Sequence, residues 1–132
     1  MSSFDGAHVL IIEDNSTSVD VLAGLLDQLK VTYTVVYNSR KVKDVIQVIK
    51  HLDAIFLDIE MPGIDGYQIR DMLKSYPHIQ NIPVIAYSAH SSQMAKARAA
   101  GFDGFLGKPL RASEFPAQLA QIFNKMPVWA IR

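Results

Sequence analysis

The chain contains no cysteine, so disulfides, thiolate nucleophiles, thiolate-ligated zinc and iron–sulfur clusters are all excluded. Its four histidines, His8, His51, His78 and His90, lie far apart, and no two have the helical spacing of a metal-binding pair. No apolar run approaches the ~20 residues that a membrane-spanning helix needs. The polar start lacks the basic segment and apolar core of a signal peptide. A cytoplasmic protein with no membrane contact is therefore expected. Neither charge is in excess, since 13 basic residues balance 13 acidic ones. Without an overall positive field, no nucleic-acid partner is expected. At 132 residues, 49% hydrophobic and 20% charged, the chain has the size and composition of a single globular domain that folds without a metal or disulfide staple.

Short β-branched runs alternate with helical stripes along the whole length. His8-Val-Leu-Ile-Ile-Glu-Asp is continuously apolar before its two carboxylates, the mark of a strand covered on both faces. Ser16 or Thr17 is placed to cap the next segment, where Val19, Leu22, Ala23, Leu26 and Leu29 repeat at three and four. Tyr33 to Tyr37 reads as a second strand, followed by a stripe of Val42, Val45, Ile46 and Ile49. A third strand runs from Ala54 to Asp58, and the turn residues of Met61 to Gly66 make a loop. A helix with Ile69, Met72, Leu73 and Tyr76 on one face follows, then a strand from Pro83 to Ser88. An alanine-rich helix from Ser91 to Ala100, a short strand from Phe102 to Leu106, a turn at Lys108-Pro109 and a helix from Ser113 complete the series. Five such βα units predict an α/β domain: a doubly wound, five-stranded parallel sheet with helices on both faces. Periodicity does not give the strand order, but it places the site beyond the carboxyl ends of the strands.

Glu13 and Asp14 end the first strand, Asp58 the third and Ser88 the fourth, while Lys108 follows the fifth. Each alone has an ordinary explanation as a cap, a turn former or a surface residue. Together they put three carboxylates, a hydroxyl and an ammonium at one mouth. Crowded carboxylates repel unless a cation sits among them, and an all-oxygen set suits a hard divalent ion such as Mg²⁺ (or Mn²⁺). A lysine and a hydroxyl beside it suit a phosphoryl group, and a central aspartate can be the nucleophile that accepts it.

With these residues the chain resembles the receiver domain of two-component response regulators, from about His8 to Met126. The resemblance rests on Val-Leu-Ile-Ile-Glu13-Asp14-Asn, Leu-Asp58-Ile-Glu-Met-Pro-Gly-Ile-Asp-Gly66, Pro-Val-Ile-Ala-Tyr-Ser88-Ala and Gly-Phe-Leu-Gly-Lys108-Pro-Leu, in that order. It implies the flavodoxin-like strand order 2-1-3-4-5. It implies further that Asp58 takes phosphate from a histidine kinase or phosphotransfer protein, in a phosphorelay. Glu13, Asp14, Asp58 and the backbone carbonyl of Glu60 would hold Mg²⁺, Lys108 would pair with the phosphoryl group, and the peptide before Pro109 would be cis. Ser88 would move toward the phosphoryl oxygens and Phe105 turn inward behind it. This would reshape the face of the fourth helix, fifth strand and fifth helix, where a downstream protein or a homodimer partner binds.

Ser88 stands where threonine is frequent and Phe105 where tyrosine is common in that family. Glu60 and His90 fall at positions that influence phosphate lifetime. Residues 127–132 form a tail, in which Trp129 and Ile131 are expected to pack back on the body, with a docking tail as the alternative. The polar start and short end are those expected of a whole protein without an output domain, the alternative being a receiver cut from a hybrid kinase. No enzyme activity is expected beyond gain and loss of phosphate at Asp58. An aspartate-nucleophile phosphatase would need a cap domain, for which there is no room. A flavin carrier would need a phosphate-cradling loop where Glu13-Asp14-Asn15 stands. A phosphorylation-independent interaction module would have no use for the retained acidic pair, nucleophile and lysine.

Overall fold

The computed structural model describes residues 4–63 and 65–130. Strands and helices alternate: β1 (His8–Ile12), α1 (Ser16–Gln28), β2 (Thr32–Val36), α2 (Val42–Val48), β3 (Ala54–Asp58), α3 (Gly66–Lys74), β4 (Val84–Ser88), α4 (Met94–Ala99), β5 (Gly104–Gly107), α5 (Phe115–Phe123) and β6 (Val128–Ala130). Among the described residues the strands form one sheet in the order β2-β1-β3-β4-β5-β6, every pair parallel.

The apolar runs become central strands because both faces of the sheet are covered. Along β1 to β3, Val9, Leu10, Ile11, Ile12, Ile55, Phe56 and Leu57 are all buried. Leu10, Ile12, Ile55 and Leu57 face a core closed by Val42 and Ile46 of α2, Ile69 and Leu73 of α3, and Ala97 of α4. Val9, Ile11 and Phe56 face a second core closed by Val19, Leu22 and Leu26 of α1 and Phe115, Leu119 and Ile122 of α5. At ~1.5–3 kcal/mol per large apolar side chain, these two layers supply the main driving force for folding.

The sheet has six strands where five were expected. The sixth comes from the tail: Val128–Ala130 pairs with β5 at the sheet edge. Three residues after a proline give too short a period to read as a strand. Trp129 packs back as expected, whereas Ile131 lies outside the described residues. Two further local differences have physical reasons. Asn15, not Ser16 or Thr17, caps α1, its side chain accepting a hydrogen bond from the Ser18 amide at 2.9 Å. The expected helix from Ser91 begins as a 3₁₀ turn, Ser91–Gln93, so α4 proper has six residues.

At the amino ends of the strands, side chains fix the register. The Asp53 carboxylate accepts the His8 amide at 2.9 Å, and Asp103 accepts the Val84 amide at 2.8 Å. The His8 ring spans Thr32 and Thr34, 2.7 Å from each hydroxyl. Burial first, and then the neighbouring His51, hold the His8 pKa below its usual value, against the pull of Asp53. As pH falls the unfolded chain takes up this proton before the folded one. The His8 contribution to stability is therefore complete above about pH 6.5 and is lost as pH drops through the lower folded-state value. His8→Gln is expected to flatten the fall in urea midpoint between about pH 7.5 and about pH 5. Equal slopes in the two proteins would contradict this assignment.

Candidate functional site

The parallel register brings the carboxyl ends of β1, β3, β4 and β5 to one edge, and the polar residues sit there. Asp58 is the last residue of β3 and Ser88 of β4, Glu13 and Asp14 follow β1, and Lys108 follows β5. Glu13 and Ser88 are fully buried, Asp58 is 4% exposed, and Asp14 faces solvent. One oxygen from each of Glu13, Asp14 and Asp58 lies within 4.8 Å of the others.

Lys108 bridges two of these strands. Its ammonium is 2.6 Å from Glu13 Oε1 and 3.4 Å from Asp58 Oδ2. It also stands over the Tyr87 ring, 4.5 Å from the centroid. The peptide between Lys108 and Pro109 is cis. Glu13 accepts a second hydrogen bond from the Asn15 amide at 3.1 Å. Burial, and next the adjacent Asp58, push the Glu13 pKa up to about 7, although Lys108 and the Asn15 amide pull it down. The same burial, with Glu13 and Asp58 nearby, raises the Tyr87 phenol far above its usual value. The anionic charge here is thus under-compensated by the chain's own groups. Three hard oxygen donors with that deficit fit a divalent cation of the Mg²⁺ type.

A second network occupies the other side of Asp58. The Glu60 amide donates to Asp58 Oδ1 at 2.8 Å. The Glu60 carboxylate accepts from the Ser88 hydroxyl through Oε1 and pairs through Oε2 with His90 Nδ1. Oε1 also accepts the Ala89 amide at 3.1 Å, and the Ser88 oxygen accepts the His90 amide at 2.9 Å. The Ser88 hydroxyl is therefore committed to Glu60. Phe105 is fully buried in β5, in the core shared with α3 and α4.

Glu13, Asp14, Asp58 and Lys108 thus form one group, and Glu60, Ser88 and His90 a second that touches it, with Phe105 in the core behind. Sequence reasoning missed Tyr87, Asn15 and Gly66. Tyr87 precedes Ser88 and so points to the other face of the sheet, beside its register partner Asp58, where Lys108 lies over its ring. Asn15 carried a signal, as a cap-type residue directly after the acidic pair.

Comparison with known proteins gives one answer from sequence and from structure. The family described as the response regulator receiver domain matches residues 9–120. Protein RcaC of Microchaete diplosiphon is 28% identical over 124 residues, 92% of this chain but 19% of that protein. The two-component response regulator ORR11 of Oryza sativa subsp. indica is 25% identical over 121 residues, 90% of this chain and 80% of that one. Among solved structures, the receiver domain of a sensor histidine kinase from Pseudomonas aeruginosa PAO1 superposes with a TM-score of 0.77 at 25% identity, over 89% of this chain and 97% of that one. That structure has a magnesium ion coordinated in its active site cleft.

Gly66 opens α3 directly against the loop that carries the site. A Cβ there would stand 2.7 Å from the Ile59 Cα, between Asp58 and Glu60. Backbone at that distance has to move, so Gly66→Ala is expected to cost ~1–3 kcal/mol of stability and to weaken Mg²⁺ binding. Denaturation midpoints and calorimetric Mg²⁺ titration check both, and unchanged values would show the loop to be free to yield.

Proposed function

Because the chain belongs to the response regulator receiver domain family, we propose that it accepts a phosphoryl group on Asp58 from a histidine kinase or phosphotransfer protein. The observation that carries this is the Lys108 ammonium set between two buried carboxylates from different strands, at 2.6 Å and 3.4 Å. In the transfer an Asp58 oxygen attacks phosphorus, the P–N bond of the donor phosphohistidine breaks, and the imidazole nitrogen leaves with the electron pair. The chemistry is confined to gain and loss of this group on the chain's own side chain.

Glu13, Asp14 and Asp58, with the Glu60 carbonyl, would hold Mg²⁺, which supplies positive charge to a group that is otherwise net anionic. Lys108 already touches Asp58 from the side opposite Glu60 and needs only to leave Glu13 to pair with a phosphoryl oxygen. Ser88 must exchange its bond to Glu60 for one to the phosphoryl group. That exchange is the step that changes the fold's local hydrogen bonding and so can be felt by a partner. The face formed by α4, β5 and α5 is the proposed contact for a downstream protein or for a homodimer. No helix among the described residues is long and apolar enough to cross a membrane, in keeping with a proposed cytoplasmic site of action.

Intact-protein mass spectrometry after incubation with Mg²⁺ and acetyl phosphate is expected to show a phosphate-sized gain on the wild type, none on Asp58→Asn and none with EDTA. A gain that persists on Asp58→Asn would refute the acceptor assignment. No gain on either, with no bound beryllofluoride, would favour a phosphorylation-independent module. Lys108→Ala is expected to bind Mg²⁺ at least as tightly as the wild type in calorimetry, since the ammonium no longer competes for Glu13, while its Ser88 amide resonance no longer shifts on phosphorylation. Lost Mg²⁺ binding would sink this role for Lys108.

A further inference from the structure

β6 has no counterpart in the expected five-stranded sheet, and it lies where α4, β5 and α5 meet. Its pairing with β5 sets Val128 beside Gly104, Trp129 beside Phe105 and Ala130 beside Leu106. The side chains alternate: Val128 and Ala130 join the core under α1 and α5, while Trp129 packs on the core that contains Phe105. Trp129, the only tryptophan of the chain, also lies under the Arg98 guanidinium of α4, 5.0 Å from the ring centroid. On an edge strand an aromatic ring has an open side to swing into. Here that side of Phe105 is filled.

Gly104 makes this arrangement sterically feasible. A Cβ there would stand 2.7 Å from the Val128 carbonyl oxygen and 3.0 Å from Ile85 Cδ1. The Ile85 methyl can give way, but the backbone carbonyl of β6 cannot without leaving the ladder. A side chain at 104 and a strand at 128–130 are therefore mutually exclusive.

We propose that β6, acting through Trp129, locks Phe105 in its buried position whether or not Asp58 carries a phosphoryl group, and that Gly104 is the residue that admits the lock. Trp129 and Gly104 are positioning residues: neither touches the site, and both act on the ring behind Ser88. The inference rests on the proposed phosphoacceptor function, in which Ser88 responds to the phosphoryl group, and departs from the expectation that Phe105 turns inward on phosphorylation. In this chain that response then reaches Ser88 and its hydrogen-bond partners without a swing of the aromatic ring.

The test is the χ1 rotamer of Phe105, read by NMR three-bond couplings on the full chain, with and without Mg²⁺ and beryllofluoride. The Phe105 signals are assigned with Phe105→Leu. Wild type is expected to hold one rotamer in both states. Trp129→Ala and Gly104→Ala are each expected to lose it to averaging in the free protein, and Trp129→Phe to restore the single rotamer. Gly104→Ala leaves Trp129 itself intact, so a shared result separates displacement of the strand from loss of one side chain. A wild-type ring that averages, or that changes rotamer with beryllofluoride, would overturn the lock. So would a single rotamer in both alanine variants. Failure of the phosphoacceptor reading is seen separately, as the absence of a bound ¹⁹F resonance, and leaves the comparison of free wild type with free variants fully decisive.

Discussion

A carboxylate and a hydroxyl with no solvent exposure, and a second carboxylate with almost none, stand at the mouth of a sheet whose interior is otherwise hydrocarbon. Buried anions are tolerated only when they are paired or hydrogen-bonded, because desolvation penalises the charged form. Lys108 is the group that meets this demand. It is delivered by β5 but bonds to residues from β1 and β3, so one ammonium ties the end of β5 to the ends of strands two and three places away in the sheet. The compensation is incomplete, as the raised Glu13 pKa shows. On the proposed function, such an electrostatically unfinished site would take a cation and then a phosphoryl group, whose charges answer each other.

Much of this was legible in the sequence because it depends on where strands end. A run such as Val9 to Ile12, apolar at every position, has to be covered on both faces, and only a parallel α/β sheet does that with connections of this length. Such a sheet sends the residues after each run to one edge, which is why Glu13, Asp14, Asp58, Ser88 and Lys108 could be grouped before their distances were known. What stayed hidden depends on contacts across the fold that carry no periodic signal. That Glu60 would turn to Ser88 and His90, and that Lys108 would lie over Tyr87, follows from side-chain paths and not from spacing. Gly66 and Gly104 looked like ordinary glycines until the neighbouring backbone was seen to fill the space of their missing Cβ atoms.

The sixth strand illustrates the same limit from the side of energetics. Three residues cannot form a strand on their own account, since ordering their backbone costs about 1–2 kcal/mol each. Val128 offsets part of this by its burial and Trp129 by packing on one core while carrying Arg98 on its outer side. The strand therefore exists because of what it meets, namely an edge with a glycine at the right register and a core with room for an indole. No window of sequence around 128–130 contains that information.

Two hydrogen-bond networks flank Asp58, and their difference in exposure bears on how the site can switch. The Glu13–Lys108 contact is buried on the carboxylate side and largely buried on the lysine side, at 0% and 16% side-chain exposure. The Glu60–His90 pair is open, with His90 at 68%. Freeing the Glu60 and His90 side chains exchanges protein partners for water at little desolvation cost, whereas separating the buried pair strands a charge unless a new cation arrives. The order of events follows from that asymmetry. On the proposed function, positive charge would have to reach Glu13 before Lys108 could turn to a phosphoryl oxygen, while Ser88 could leave Glu60 once a stronger acceptor stood beside it. The closed side would thus gate the proposed phosphoryl transfer and the open side report it.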